Sequence, residues 1–221
     1  MSPVLYYFLS LTAINILMCW AFYLPYRVGQ LHHLVVSCML ASAYFAGYAS
    51  RDLSWPFTLI LIGGIAIGML ICLITSFAIG DAPCFTVVIV GLTVLFIAKT
   101  TVENWKLLGG TLGFFGIPEV KNLLPLSYAF VILIGILINR IEKSRLGRAA
   151  SMVFVDRDAA RALGVNIKQL GMLFQILAGG FAGLAGTLYA FLIGSLFPEF
   201  FNLSVIGTLM CMLFAGGLST M

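Results

Sequence analysis

An all-α fold, a polytopic transmembrane helical bundle, is what this sequence predicts, and three observations predict it. Of 221 residues, 62% are hydrophobic and 9% are charged, against about 45–50% and about 25% in soluble domains. The mean hydropathy is +1.10. The apolar residues fall into continuous runs at 4–24, 34–49, 57–79, 84–98, 124–139, 171–193 and 202–218. Continuous runs exclude the alternating strands of a membrane β-barrel. About seven spans in one transmembrane domain over 1–221 are expected.

The first run, 4–24, has no basic stretch before it and is too long for a signal core, so it reads as a span. Runs 34–49, 84–98 and 124–139 are short against the roughly 20 residues a span needs, which allows tilted or discontinuous helices. Residues 140–168 carry Arg140, Lys143, Arg145, Arg148, Arg157, Arg161 and Lys168, seven of the twelve basic side chains. The positive-inside rule puts this loop, about 140–170, in the cytoplasm. Alternation then leaves 25–33 and 80–83 inside, and 50–56 and 99–123 outside. The last run passes through Gly216-Gly217-Leu218 and stops at Met221 without a polar tail, so a truncated C-terminus is expected.

The pattern carries little catalytic chemistry. There is no GxxxxGK phosphate loop, no HExxH, no GxSxG and no carboxylate pair, so no cofactor or metal is expected on this chain and it is not expected to be an enzyme. Twelve basic residues against eight acidic ones are too sparse to track a phosphate backbone, which excludes nucleic acid. Cys19, Cys38, Cys72, Cys84 and Cys211 form no CxxC and read as small buried hydrophobes. His32 and His33 stand at a loop–span junction, as interfacial side chains or as a gate.

The basic loop is the informative segment. Asp156 is placed to cap a short helix through Arg157, Asp158, Ala159, Ala160, Arg161 and Leu163, with Asp158 in the first turn facing the helix dipole. Asp158 can pair with Arg161, Gly164 can close the helix in a left-handed turn, and Asn166 can cap the next. Ala159, Ala160 and Leu163 are expected on one apolar face. Such a helix suits docking in a cleft of a cytoplasmic partner, or anchoring on anionic lipid. Gly179, Ala182, Gly183 and Gly186 form a small-residue stripe that allows close helix packing. Trp105 with Gly110, Gly113 and Gly116 marks an irregular external loop, either a contact for a substrate-delivery protein or a plain connection.

Asp158-Ala159-Ala160-x-x-x-Gly164 resembles the EAA…G loop of importer permeases driven by ATP-binding-cassette motors, with Asp in place of Glu. Ser144-Arg145-Leu146-Gly147-Arg148-Ala149, the stretch from Ala182 to Ala190, Pro198-Glu199 and the Asn104-Trp105 to Pro118 segment sharpen the likeness. Together they resemble the branched-chain amino-acid permease family, its LivM-like subunit in particular. The family's G-Q-L-S-L-G-H stretch survives here only as Gly29-Gln30-Leu31 before His32-His33, and its L-x-L-R-G-x-Y stretch is degraded to Ala78-Ile79-Gly80-Asp81-Ala82-Pro83.

The resemblance implies a multi-pass permease subunit in the cytoplasmic (inner) membrane, embedded in the lipid bilayer. Its implied partners are two cytoplasmic ATPase subunits, a second permease subunit and an external solute-binding protein. Residues 156–164 would be the ATPase-coupling helix, and the solute a branched-chain or other small amino acid. The competing readings are an ATP-independent channel or facilitator for a small polar solute such as urea or an amide, and a non-transporting remnant.

Overall fold

The computed structural model describes residues 2–79, 82, 84–120 and 122–216. Helix α1 (Pro3–Tyr26) opens on Ser2, whose Oγ accepts from the Leu5 N–H at 3.4 Å. Pro3 sits in the first turn, where its missing N–H costs nothing. Four further long helices follow: α2 (Leu34–Arg51), α3 (Phe57–Ile79), α4 (Cys84–Asn104) and α5 (Leu123–Lys143). The basic loop folds into α6 (Arg145–Val155) and α7 (Arg157–Ala162), and α8 (Ile167–Ile193) and α9 (Leu203–Ala215) complete the chain. Two short strands, β1 (Phe114–Phe115) and β2 (Ser195–Leu196), pair antiparallel with Phe114 opposite Leu196.

Six helical segments among the described residues are long and apolar enough to cross a membrane, and α2, expected as a span, is not among them. Its 18 residues rise about 27 Å, close to the roughly 30 Å of hydrocarbon, so length is not the difference. Composition is: α2 carries Ser37, Ser42, Tyr44, Tyr48 and Ser50. All but four of its residues are buried, so protein, not lipid, solvates it. Helix α4 outruns its apolar stretch because Lys99 and Glu103 pair at 3.7 Å one turn apart.

The most enclosed of the six candidate spans is α8, packed on α1, α2 and α3. Lipid tails are as apolar as leucine, so helices in a bilayer gain most from close van der Waals approach, which small residues permit. Gly179 and Gly183 of α8 lie against Gly68 and Gly64 of α3 so tightly that a Cβ on any of the four would overlap its opposite number's backbone or Thr187. Ala182 is fully buried in the same region, and Gly186 abuts Met39 and Ser42 of α2. The stripe therefore packs within this chain. The sequence reading missed its partner, Gly64-x-x-x-Gly68, which shows the same four-residue spacing.

Of the cysteines, Cys38 and Cys72 meet between α2 and α3 with their sulfurs 3.5 Å apart as free thiols. Cys19 and Cys84 are half-buried. Cys211 departs from expectation, since it is exposed on α9. Among the described residues no group of His, Cys, Asp or Glu could hold a metal.

Candidate functional site

The two ends of the bundle are built differently. At one end lie the C-terminal ends of α1 and α5, then α6, α7 and the start of α8. Glu142 accepts a hydrogen bond from the Tyr23 hydroxyl, lies 3.9 Å from Arg27, and so ties α5 to α1. Arg27 also donates to Ser151 Oγ at 2.8 Å, which fastens α6. Ser144 caps α6 by accepting from the Leu146 N–H at 3.1 Å. Gly147 presses on the backbone of Glu142 where a Cβ would not fit.

The predicted caps form in the next turn. Asp156 Oδ1 accepts from the N–H groups of Asp158 and Ala159 at 2.9 and 3.1 Å. Arg161 lies 3.5 Å from Asp158, Gly164 sits at φ +82°, and Asn166 accepts from Gln169 N–H at 3.1 Å to start α8. Asp156→Ala is expected to cost about 1 kcal/mol of stability and Asp156→Asn much less, measured by thermal unfolding in detergent.

The apolar face is not the one expected. Ala160 is buried under α7, whereas Ala159 and Leu163 point outward, because neighbouring helix positions lie about 100° apart. The exposed apolar surface instead joins Leu163, 67% exposed, to Val155, Phe154 and Met152 at the end of α6. Arg157 is half-buried, and its Nε and Nη2 are shielded and have no acceptor among the described residues.

At the other end, the segment after α4 is a loop of short turns, as the glycine spacing predicts. Two 3-10 turns, Lys106–Leu108 and Gly110–Leu112, lead into β1, with Gly110, Gly113 and Gly116 all at positive φ. Arg51 of α2 donates to the Phe115 carbonyl at 3.1 Å and stacks 3.8 Å over the Phe114 ring. Trp105 lines a cavity of about 510 Å³ with Tyr44, Phe45, Tyr48, Leu107 and Leu108.

The histidines correct the sequence reading most sharply. His32 and His33 are 1% and 8% exposed, packed inside the bundle and not on its surface. Residues 27–33 fold back between helices: the His33 and Leu34 backbone lies against Gly91. Gly91 is seven residues, about 10 Å, inside α4. Gln30 accepts from Gln175 Nε2 of α8 at 2.6 Å. The sequence reading also missed Gln175, a lone amide in an apolar run, which is the signal for an intramembrane polar site.

This architecture is a multi-pass helical membrane bundle with a capped basic hairpin at one end. The family profile "Branched-chain amino acid transport system / permease component" matches residues 4–221, and the chain belongs to that family. It is similar to the high-affinity branched-chain amino acid transport system permease protein LivM of Escherichia coli (strain K12), 30% identical over 112 residues. That match covers 48% of this chain and 26% of the relative. The LivM protein of Salmonella typhimurium matches with the same identity and coverage. The matched region thus spans about a quarter of these relatives' length. No solved structure matches the chain.

Proposed function

We propose that this chain is the permease subunit of an ATP-binding-cassette importer that moves branched-chain or other small amino acids across the cytoplasmic membrane. The basic end faces the cytoplasm. There two ATPase subunits engage the α6–α7 hairpin, and a second permease subunit completes the path. A solute-binding protein delivers from outside to the ordered loop around Trp105, Gly110, Gly113 and Gly116. The observation that carries this reading is the hairpin: a short capped helix with Val155 and Leu163 exposed, held on a rigid polar joint at the end richest in basic residues.

In this mechanism the ATPases change shape as they bind and hydrolyse nucleotide. The hairpin moves with them, and the path between permeases switches sides. A lever of this kind works only if it contacts the two ATPase states differently. Asp156, Asp158 and Arg161 keep the helix formed, Ala160 seats it on the bundle, and Gly164 turns the chain into α8. Nucleotide chemistry belongs to the partner chains.

Gly164→Pro forbids the +82° turn, since proline fixes φ near −65°. Ala160→Glu forces a carboxylate into a buried seat. Both are expected to abolish solute-stimulated ATPase activity in proteoliposomes holding the assembled complex, while membrane insertion is retained. Normal coupled uptake by either variant would refute the lever role. Leucine uptake that needs neither ATP nor ATPase subunits would instead support a facilitator.

A further inference from the structure

We propose that the seam between α1 and α9 is this chain's wall of the solute path, and that the Asn15 amide within it holds the charged end groups of a small aliphatic amino acid. This rests on the transport reading above, in which a second permease completes the path, and adds the face and the residue to it. Two clefts run along the seam. One, of about 360 Å³, lies between α1, α9 and the turn Pro198–Phe200. The other, of about 390 Å³, extends from Thr12 to Tyr23 of α1 beside Met212, Leu213 and Gly216. Both have the size of small-ligand sites, about 300–1,000 Å³, and Asn15 lines both.

This face is not composed like a face in lipid. The exposed residues in the middle of α5 are Ile132, Leu133, Ile136 and Leu137, and those of α3 include Ile62, Leu70 and Ile74. Along the seam stand Thr12, Asn15, Ser204 and Thr208 instead. The threonines satisfy their hydroxyls on their own helices, Thr12 donating to the Phe8 carbonyl at 2.8 Å and Thr208 to the Ser204 carbonyl at 2.9 Å. The Asn15 amide has no hydrogen-bond partner among the described residues. It sits 12 residues, about 18 Å, from the first residue of α1, halfway along a candidate span. A polar side chain is expensive in hydrocarbon, and at that depth it marks a path for solute.

The chemistry fits a zwitterion with an apolar side chain. An amide carries both N–H donors and a carbonyl acceptor, so one residue can meet a carboxylate and an ammonium. Leu11, Met18, Met39 and Leu209 give the first cleft its apolar wall, with the methionines adaptable in shape. Glu199, exposed on the turn before α9, stands at the edge of that cleft, where its carboxylate attracts the ammonium end. The second cleft reaches Tyr23, whose hydroxyl donates to Glu142 of α5. Arg27, which caps the same helix, donates to Ser151 of α6, so hairpin movement acts on the wall itself.

The test is ATP-driven uptake of radiolabelled L-leucine by proteoliposomes of the assembled transporter carrying Asn15→Leu, with the melting temperature measured in detergent. The proposal predicts at least a tenfold fall in uptake. The melting temperature should stay the same or rise, because an unmatched amide gives way to an apolar chain. Thr93→Leu, on the exposed face of α4 and outside the seam, should leave uptake unchanged. A smaller fall for Asn15→Leu overturns the proposal and leaves the transport reading standing. Absence of any ATP-dependent uptake by the unsubstituted complex overturns both.

A second measurement decides the matter should Asn15→Leu melt lower. Asn15→Cys and Thr208→Cys, in a background without the native cysteines, are expected to react with 2-aminoethyl methanethiosulfonate, at least fivefold more slowly when L-leucine is present. Thr93→Cys should show no such protection. Failure of either seam cysteine to react in any nucleotide state, or a reaction that leucine does not slow, contradicts the proposal.

Discussion

Gly68→Leu is expected to unfold the bundle or prevent its assembly. Gly68 faces the Gly179 carbonyl across the α3–α8 contact, and even one added carbon would overlap that backbone. A flexible side chain could yield, but a helix backbone cannot, so α3 and α8 must separate along their shared length. Overpacking of a well-fitted core costs about 1–3 kcal/mol and occasionally more. Here the loss should lie at the upper end, because small-residue packing is the main attraction between helices in lipid. Gly183→Leu should act alike, through the Gly64 backbone. Gly207→Leu supplies the control: it lies on α9, where a Cβ meets nothing within 4 Å. Thermal unfolding in detergent checks all three, and a melting temperature for Gly68→Leu equal to that of Gly207→Leu would remove the argument.

That contact also shows what was readable before the fold was known. Gly179, Ala182, Gly183 and Gly186 announce a close helix approach by spacing alone, but spacing cannot name the partner, and Gly64-x-x-x-Gly68 was visible and unused. The caps at Asp156, Gly164 and Asn166 were legible because a cap is decided within about four residues of sequence. The burial of His32 and His33 was not. Their surroundings depend on α4 and α8, distant in sequence, and a short polar segment between two apolar runs looks the same whether it lies at the membrane surface or folds inward. Helix α2 shows a related limit of hydropathy. Hydropathy reports what a helix facing lipid requires, and α2 faces other helices, so its serines and tyrosines carry no penalty. The stretch at Gly80, Asp81 and Pro83 lies outside the described residues.

Arg27→Ala is expected to uncouple the two halves of the machine while leaving both in place. The guanidinium reaches Ser151 of α6 at 2.8 Å and Glu142 of α5 at 3.9 Å, and it lies 5.9 Å from the centre of the Tyr23 ring. Its own backbone caps α1, one side of the seam proposed as the path wall. A hairpin pushed by an ATPase would therefore move the end of α1 through this side chain, as one rigid joint. Removing it leaves Tyr23 bonded to Glu142, so α1 and α5 stay tied and the fold persists. In the assembly proposed above, ATPase activity should continue within about threefold, while L-leucine uptake falls at least tenfold. Arg27→Lys keeps the charge but loses the planar fork that serves two acceptors at once, and should recover uptake only in part. Parallel loss of hydrolysis and uptake would show that Arg27 supports assembly instead, and unchanged uptake would show that force reaches the path by another route.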